Sequence, residues 1–347
     1  MPFRQQEALC YGRHMTEEEA VIARIFIPHM VRELARARGT NIRLAHYTSA
    51  DTGLKILRSG KMLLRNSVLM NDFSEVSHGL ACLSSAYNGP LGDRLKEALK
   101  KVQPDLPEIL EGNFNEQVLD VRAETYLMSL SEHGSDDPIE TEHEDRFGRL
   151  SMWRAYAPKN GVAFVLHNTP FVSESNAIQA FTSPVMYAES DSFLPSFAEV
   201  VEGIEQNIDL LAGLGGAFVH DTLIRVFKFA IQSTKHPAFK EEREWRVIYD
   251  PTRLQREGLM TDQQVQRIPT EVMSLGGVPQ RVYAIPFKDY PKEGFSGATA
   301  PQLIDRVLIG PTADGYAIAQ AFVAELTAAQ VENAAEKVII TGVPLRT

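Results

Sequence analysis

The 347 residues contain only two cysteines, Cys10 and Cys82, which are far apart and without CxxC spacing. That excludes a disulfide framework and a cysteine-rich zinc centre, and it fits a reducing compartment. No stretch reaches the roughly 18 uninterrupted apolar residues that span a bilayer. The start, Met1-Pro2-Phe3-Arg4-Gln5-Gln6, lacks the apolar core of a secretory leader. A cytoplasmic protein that makes no use of a membrane is the expectation. Positive charge is also short, 35 Lys and Arg against 45 Asp and Glu, for a formal net charge of -10. Such a surface is poorly suited to binding nucleic acid indiscriminately, which rests on neutralising phosphates. There is no Walker A motif, no GxGxxG, no GxSxG and no histidine pair with metal-ligand spacing such as HExxH, so several enzyme classes lose their signatures.

What is present is ordinary globular composition, 44% hydrophobic and 23% charged, enough for a large core. The charge is uneven. Arg24 to Arg65 holds nine Lys/Arg and two Asp/Glu, whereas Glu132 to Asp145 holds seven acidic residues and no Lys or Arg. Two solvated surfaces of opposite sign are the plainer account; a basic cleft beside a mobile acidic loop is the sharper one.

Periodicity organises the chain. Thr16 caps a helix with Glu19 completing a capping box, and apolar residues recur at helical spacing from Val21 to Leu34 across Pro28. Ile42 to Tyr47 reads as a strand, Ser49-Ala50-Asp51 starts a short helix ending at Gly60, and Lys61 to Val68 reads as a second strand. Helices fill about 74–120 and 195–235. Further strands fall at 125–131, 161–166, 244–249, 282–287, 306–309 and 337–341, a short helical turn covers 150–156, and a helix covers 313–330. Residues 251–280 read as a polar insertion. The pattern predicts an α+β fold with one mixed β core and peripheral helices. Residues 1–40 form an N-terminal segment and helix, and 41–347 a single domain with helical and loop insertions.

Three constellations carry chemistry. His46-Tyr47-Thr48-Ser49 ends a strand, where an imidazole and backbone groups suit a ribose and a carboxamide; the alternative is a half-buried histidine with Thr48 or Ser49 capping the next helix. In Glu242-Arg243-Glu244-Trp245-Arg246, Glu242 and Glu244 would share one face of a strand. A carboxylate pair suits an oxocarbenium-like reaction, one carboxylate stabilising the sugar and the other orienting the nucleophile; the alternative is a solvated strand edge. Ser129 and Ser131 would share a strand face, and Trp153 and Tyr156 one flank of a helix, able to stack on a planar ring or simply to fill the core.

In order, His46-Tyr47-Thr48-Ser49, Asn71-Asp72-Phe73-Ser74-Glu75, Ser129-Leu130-Ser131-Glu132, Met152-Trp153-Arg154-Ala155-Tyr156 with Gly161-Val162, Glu242-Arg243-Glu244-Trp245-Arg246 and Val307-Leu308-Ile309-Gly310-Pro311 resemble the bacterial domain of unknown function 2971 family over about residues 42–312. Phe73 replaces the proline usual in its second motif. That family in turn resembles the ADP-ribosyltransferase superfamily. The resemblance implies an ADP-ribosyltransferase-like core and NAD as substrate; no metal is expected, on the separate ground that neither cysteine has a ligand-spaced partner and the acidic run reads as a loop. It implies transfer of ADP-ribose to a macromolecular acceptor, nucleic acid or protein, in a toxin or antiphage defence setting that admits an antitoxin or regulatory partner. It gives His46 the adenosine-side ribose, Tyr47 or Thr48 the carboxamide through the backbone, and Tyr156 or Trp153 the ring. Glu244 would grip the nicotinamide ribose and Glu242 the acceptor, with Arg65 pairing a phosphate. Competing readings are NAD hydrolysis, a non-catalytic sensor or interaction module, and a nuclease holding Mg²⁺ on Asp72, Glu75, Glu242 and Glu244, for which the companion lysine has no evident counterpart.

Overall fold

The computed structural model describes residues 17–40, 42–69, 73–117, 125–157, 159–256 and 261–344. Thr16, Cys10 and the Asn71-Asp72 turn lie outside them, as do the side chains of Phe73, Ser74 and Glu75.

The predicted mixed α+β architecture is observed. Among the described residues twelve strands run in chain order: β1 Arg43–Ser49, β2 Lys61–Asn66, β3 Tyr126–His133, β4 Gly161–Leu166, β5 Phe181–Pro184, β6 Met186–Tyr187, β7 Thr234–Lys235, β8 Glu244–Tyr249, β9 Thr270–Leu275, β10 Val278–Pro286, β11 Ile304–Ile309 and β12 Val338–Ile340. Ten form one sheet in the order β12-β11-β4-β1-β3-β2-β10-β9, with β8 on β3 and β5 on β8; β6 and β7 form a separate parallel pair.

The sheet branches at β3. Along one edge β3 pairs with β8 from Tyr126 to Ser131. Along the other it pairs with β2 only at Tyr126 and Leu127, and with β1 only from Ser131 to His133. Between those ladders β1 and β2 diverge and leave the edge of Met128, Ser129 and Leu130 without a strand. Backbone groups on an open edge form a ready hydrogen-bonding surface.

One sheet face carries Leu44, Leu64, Met128, Leu130, Phe164, Trp245 and Val247, all buried. They pack with helices α2 Pro28–Gly39, α3 Ala50–Ser59 and the late helix Gly315–Ala328 into the largest core. A second core is helical, where α1 Glu17–Phe26, α4 Phe73–Tyr87, α5 Pro90–Val102 and α6 Leu106–Gln117 meet the helices Ser190–Gln206 and Gly216–Ser233. The N-terminal helices therefore feed both cores. No single helix among the described residues is long and apolar enough to cross a membrane.

Two predicted elements differ. The acidic run is not a mobile loop, because Pro138 to Phe147 is a helix capped by Asp137 and three of its acidic residues are paired with arginines of other elements. Glu132 pairs with Arg36 at 2.6 Å, Glu144 with Arg149 at 2.9 Å, and Asp145 with Arg43 at 2.6 Å and Arg306 at 3.2 Å. Residues 251–280 are not wholly an insertion, since β9 joins β10 through Gly276 and Gly277, both at positive φ, the geometry a two-residue hairpin requires.

The helical layer depends on a close crossing. A Cβ on Gly79 of α4 would sit 2.3 Å from the Ile231 carbonyl oxygen. Backbone cannot yield as a flexible side chain can, so Gly79→Ala is expected to cost about 1–3 kcal/mol, the usual range for overpacking. A thermal unfolding midpoint equal to wild type would refute this contact.

Candidate active site

A cleft of about 640 Å³ opens where β1 and β2 part from β3. It is lined by His46, Tyr47 and Thr48 of β1, Arg65 of β2, Ser129 and Ser131 of β3, Tyr156, Lys235, Glu242, Glu244 and Arg246. Segments nearly 200 residues apart in sequence thus form its walls.

The β8 wall follows from register. Ser131 faces Glu244 and Ser129 faces Arg246 across the β3–β8 ladder, so these four side chains share the sheet face opposite the main core. Glu244 is buried, and its carboxylate accepts from Ser129 Oγ at 2.6 Å, Arg246 Nε at 2.8 Å and Nη2 at 3.1 Å, and Lys235 Nζ at 3.2 Å. Burial alone would raise its pKa; Arg246, Lys235 and Ser129 outweigh burial and bring it down to about 2. Glu244 is therefore ionised throughout the neutral range.

Glu242 does not share a strand with Glu244, which corrects the expected spacing argument. It ends the 3₁₀ turn Pro237–Glu242, and Arg243 adopts the left-handed region at φ 43° before β8 begins. The two carboxylates meet at Lys235 instead, whose ammonium donates to Glu242 Oε2 at 2.6 Å as well as to Glu244. Lys235 is buried, with Phe239 4.9 Å from its Nζ. The other Glu242 oxygen accepts from the Tyr156 hydroxyl at 2.9 Å. Burial is the leading cause that pushes the Tyr156 pKa up, which keeps that hydroxyl a donor.

The strained Arg243 has its own brace. Its guanidinium donates to the Gly134 carbonyl at 3.0 Å and pairs with Glu144. Glu144 also holds Arg149, which reaches Ser131 Oγ at 2.8 Å and the carbonyls of Glu241 at 2.9 Å and Glu242 at 3.3 Å. The end of the acidic run thus fixes the turn that presents Glu242.

On the opposite wall His46 Nδ1 lies 3.3 Å from the Ser129 carbonyl. A carbonyl only accepts, so Nδ1 carries the proton and Nε2 is left as an acceptor. Burial lowers the His46 pKa against that hydrogen bond, favouring the neutral ring. Backbone direction alternates along a strand, and Glu132 N–H is spent on the β8 side, on the Arg243 carbonyl. Ser131 and its partner Ala45 therefore face each other, and Tyr47, two residues on, turns its backbone N–H and C=O toward the cleft. Ser49 accepts from Thr52 N and caps α3, as its alternative reading held. Arg65 is half-buried, held by Gln280 at 3.3 Å and the Leu69 carbonyl at 3.1 Å. No carboxylate among the described residues pairs with it.

Trp153 does not reach the cleft. It is fully buried, donates from Nε1 to the Phe147 carbonyl at 2.8 Å and packs edge-on against Tyr47 with centroids 4.8 Å apart. Its assignment to ring stacking is corrected, and Tyr156, 39% exposed one turn later, is the aromatic of that helix on the cleft. Lys235, Tyr187 and Arg149 were missed. Tyr187 accepts the Glu244 backbone N–H at 2.7 Å, and like Lys235 it is positioned by the two-residue β6–β7 pair, which leaves no periodic trace in sequence. Among the described residues, no group of three or more His, Cys, Asp or Glu is arranged to hold a metal ion.

The Glu244 pairing predicts an acid dependence. Its folded pKa is depressed from an ordinary 4.5, so the stabilisation is present above that value and lost as pH falls toward about 2. The stability gap between wild type and Glu244→Gln is expected to be widest near neutral pH and to shrink by about 3 kcal/mol across that window. Urea titrations at several pH values measure it, and a gap independent of pH would contradict the pairing.

No curated protein and no solved structure matches the chain significantly. Residues 152–247, from the segment carrying Tyr156 through Lys235 and both glutamates into β8, match the model of a family described as "Protein of unknown function (DUF2971)", which supports the resemblance to that family over this part of the chain.

Proposed function

We propose that this protein transfers ADP-ribose from NAD to a macromolecular acceptor, nucleic acid or protein, with Glu244 as the catalytic carboxylate. The observation that carries the reading is a carboxylate held ionised in the lining of a cleft that also takes in a histidine kept neutral by burial, the histidine leaving its strand on the core face of the sheet and the carboxylate on the other. The cleft volume lies within the usual range of small-molecule sites. Its charged lining is Arg65, Lys235 and Arg246 against Glu242 and Glu244, an excess of one positive charge that favours a dinucleotide with two phosphates. Arg65 suits a phosphate, His46 Nε2 a ribose hydroxyl, the Tyr47 backbone a carboxamide and Tyr156 a planar ring.

The chemistry follows from charge development. Breaking the bond between ribose C1′ and nicotinamide sends its electron pair to the pyridine nitrogen, so neutral nicotinamide leaves and positive charge builds on the sugar. An ionised, preorganised carboxylate is favoured more by that charge than by the ground state, which lowers the barrier. The acceptor lone pair then forms the new bond to C1′, and its proton passes to Glu242 or to solvent. A defence or toxin role remains part of the proposal through family resemblance alone.

One observation favours a second reading, a non-catalytic module. The Glu244 carboxylate already accepts four hydrogen bonds from three side chains, enough to saturate it, so gripping a ribose hydroxyl requires one donor to yield. A metal-dependent nuclease is less well supported. The lysine that the sequence did not locate is Lys235, and its ammonium bridges the two carboxylates where a cation would bind.

Labelled NAD incubated with the protein and cell lysate, with label sorted among protein, DNA and RNA, tests the reading. Glu244→Gln is expected to lower nicotinamide release by about 10²–10³, by analogy with loss of one preorganised transition-state contact. Glu242→Gln is expected to reduce transfer to the acceptor more than nicotinamide release. A folded Glu244→Gln protein with near-normal release would refute the assignment, and no nucleotide binding by wild type would favour the module.

A further inference from the structure

The acceptor side of the cleft is defined by Glu242, and that carboxylate is already neutralised. One oxygen accepts the Tyr156 hydroxyl and the other the Lys235 ammonium at 2.6 Å. The neighbouring Glu244 is matched by Arg246 and again by Lys235. Two carboxylates and two cations leave this end of the cleft with no net charge to offer, and the Lys235 ammonium lies directly behind the Glu242 carboxylate, 2.6 Å from Oε2. Lys235 has little freedom to withdraw, being buried in the two-residue β7 strand paired to β6 and covered by Phe239. A guanidinium approaching Glu242 would have to displace this lysine or accept like-charge repulsion in a poorly solvated place. An uncharged hydroxyl or amine-type N–H meets no such barrier and finds Glu242 as a hydrogen-bond acceptor.

Resting on the reading of the cleft as an ADP-ribosyl-transfer site, we infer that Lys235 is a specificity-determining residue that bars cationic acceptors, so that the nucleophile is an uncharged O–H or N–H group. The reaction balances as NAD plus an uncharged nucleophile giving the ADP-ribosylated product, neutral nicotinamide and one proton. The C1′–nicotinamide bond breaks with its electron pair on nicotinamide, and the new bond to C1′ uses the nucleophile's lone pair.

The test uses the full chain with NAD and two small probes in separate reactions, methanol as the uncharged nucleophile and agmatine as the guanidinium. Nicotinamide release and the two ADP-ribose adducts are quantified by chromatography and mass spectrometry. For wild type, the agmatine adduct is expected at no more than one-tenth of the methanol adduct per mole of probe, an order-of-magnitude threshold for charge exclusion. In Lys235→Met the agmatine-to-methanol ratio is expected to rise at least about tenfold, whereas Lys235→Arg keeps the wild-type ratio. A role confined to stability would lower both adducts together and leave their ratio unchanged. Agmatine labelling by wild type at a level matching methanol overturns the inference without needing any variant to fold, and so does an unchanged ratio in a folded Lys235→Met protein. Absence of nicotinamide release by wild type under all conditions would instead sink the transfer reading, and this inference with it.

Discussion

Burying the Glu244 carboxylate is costly, and much of the surrounding architecture serves it. An isolated ion of that kind in a dry interior costs several kcal/mol, and removing one partner from a buried pair typically costs about 3–5 kcal/mol. Arg246 meets it on the same strand, two residues on, and Ser129 from the neighbouring strand. Lys235 comes from outside the sheet, which requires the β6–β7 pair to hold it. The Gln232 carbonyl in turn receives Arg246 Nη1, so the end of the helix Gly216–Ser233 is tied to the same cluster. The close packing of that helix on α4 through Gly79 therefore bears on the site as well as on the helical core.

A second ionic cluster does different work. Glu144, Arg149 and Arg243 hold a turn rather than a strand, and that turn contains a non-glycine residue in the left-handed region. Such a conformation costs roughly 1–3 kcal/mol and persists only where its surroundings over-determine it. Three guanidinium contacts from Arg149 to Ser131, Glu241 and Glu242 supply that determination. The strain has a geometric result. It breaks the alternation that would have put Glu242 and Glu244 side by side on a strand and lets one lysine reach both.

This explains why the sequence was readable in some places and not in others. β1, β3, β4 and β8 were legible because each is a short apolar run with local periodicity, and Glu244 was correctly set on its strand. Glu242 was not, since nothing local announces a left-handed arginine. Lys235 was invisible because its importance comes from a two-residue parallel pairing between segments almost 50 positions apart. The acidic run was misread because counting charges says nothing about partners, and Arg36, Arg43 and Arg149 arrive from other elements. Trp153 and Tyr156 were correctly paired on one helix, but shared spacing does not fix depth, and one is buried while the other lines the cleft. The Gly276-Gly277 hairpin was legible in principle, since two glycines between alternating runs are a turn signal.

One residue of the open β3 edge touches both walls of the cleft. β1 is anchored to β4 from Leu44 to Ser49 and to β3 only from Arg43 to Ala45, and β8 to β3 and β5, so beyond Ala45 the walls belong to different ladders. Ser129 joins them, its carbonyl meeting the His46 ring and its hydroxyl donating to Glu244. Both contacts exist because β1 and β2 leave the β3 edge open at this position. Had β1 continued its ladder past Ala45, the Ser129 carbonyl would have been consumed by the sheet and the histidine would have had no partner there. The divergence of two strands thus makes the cleft and also frees the group that orients one wall relative to the other.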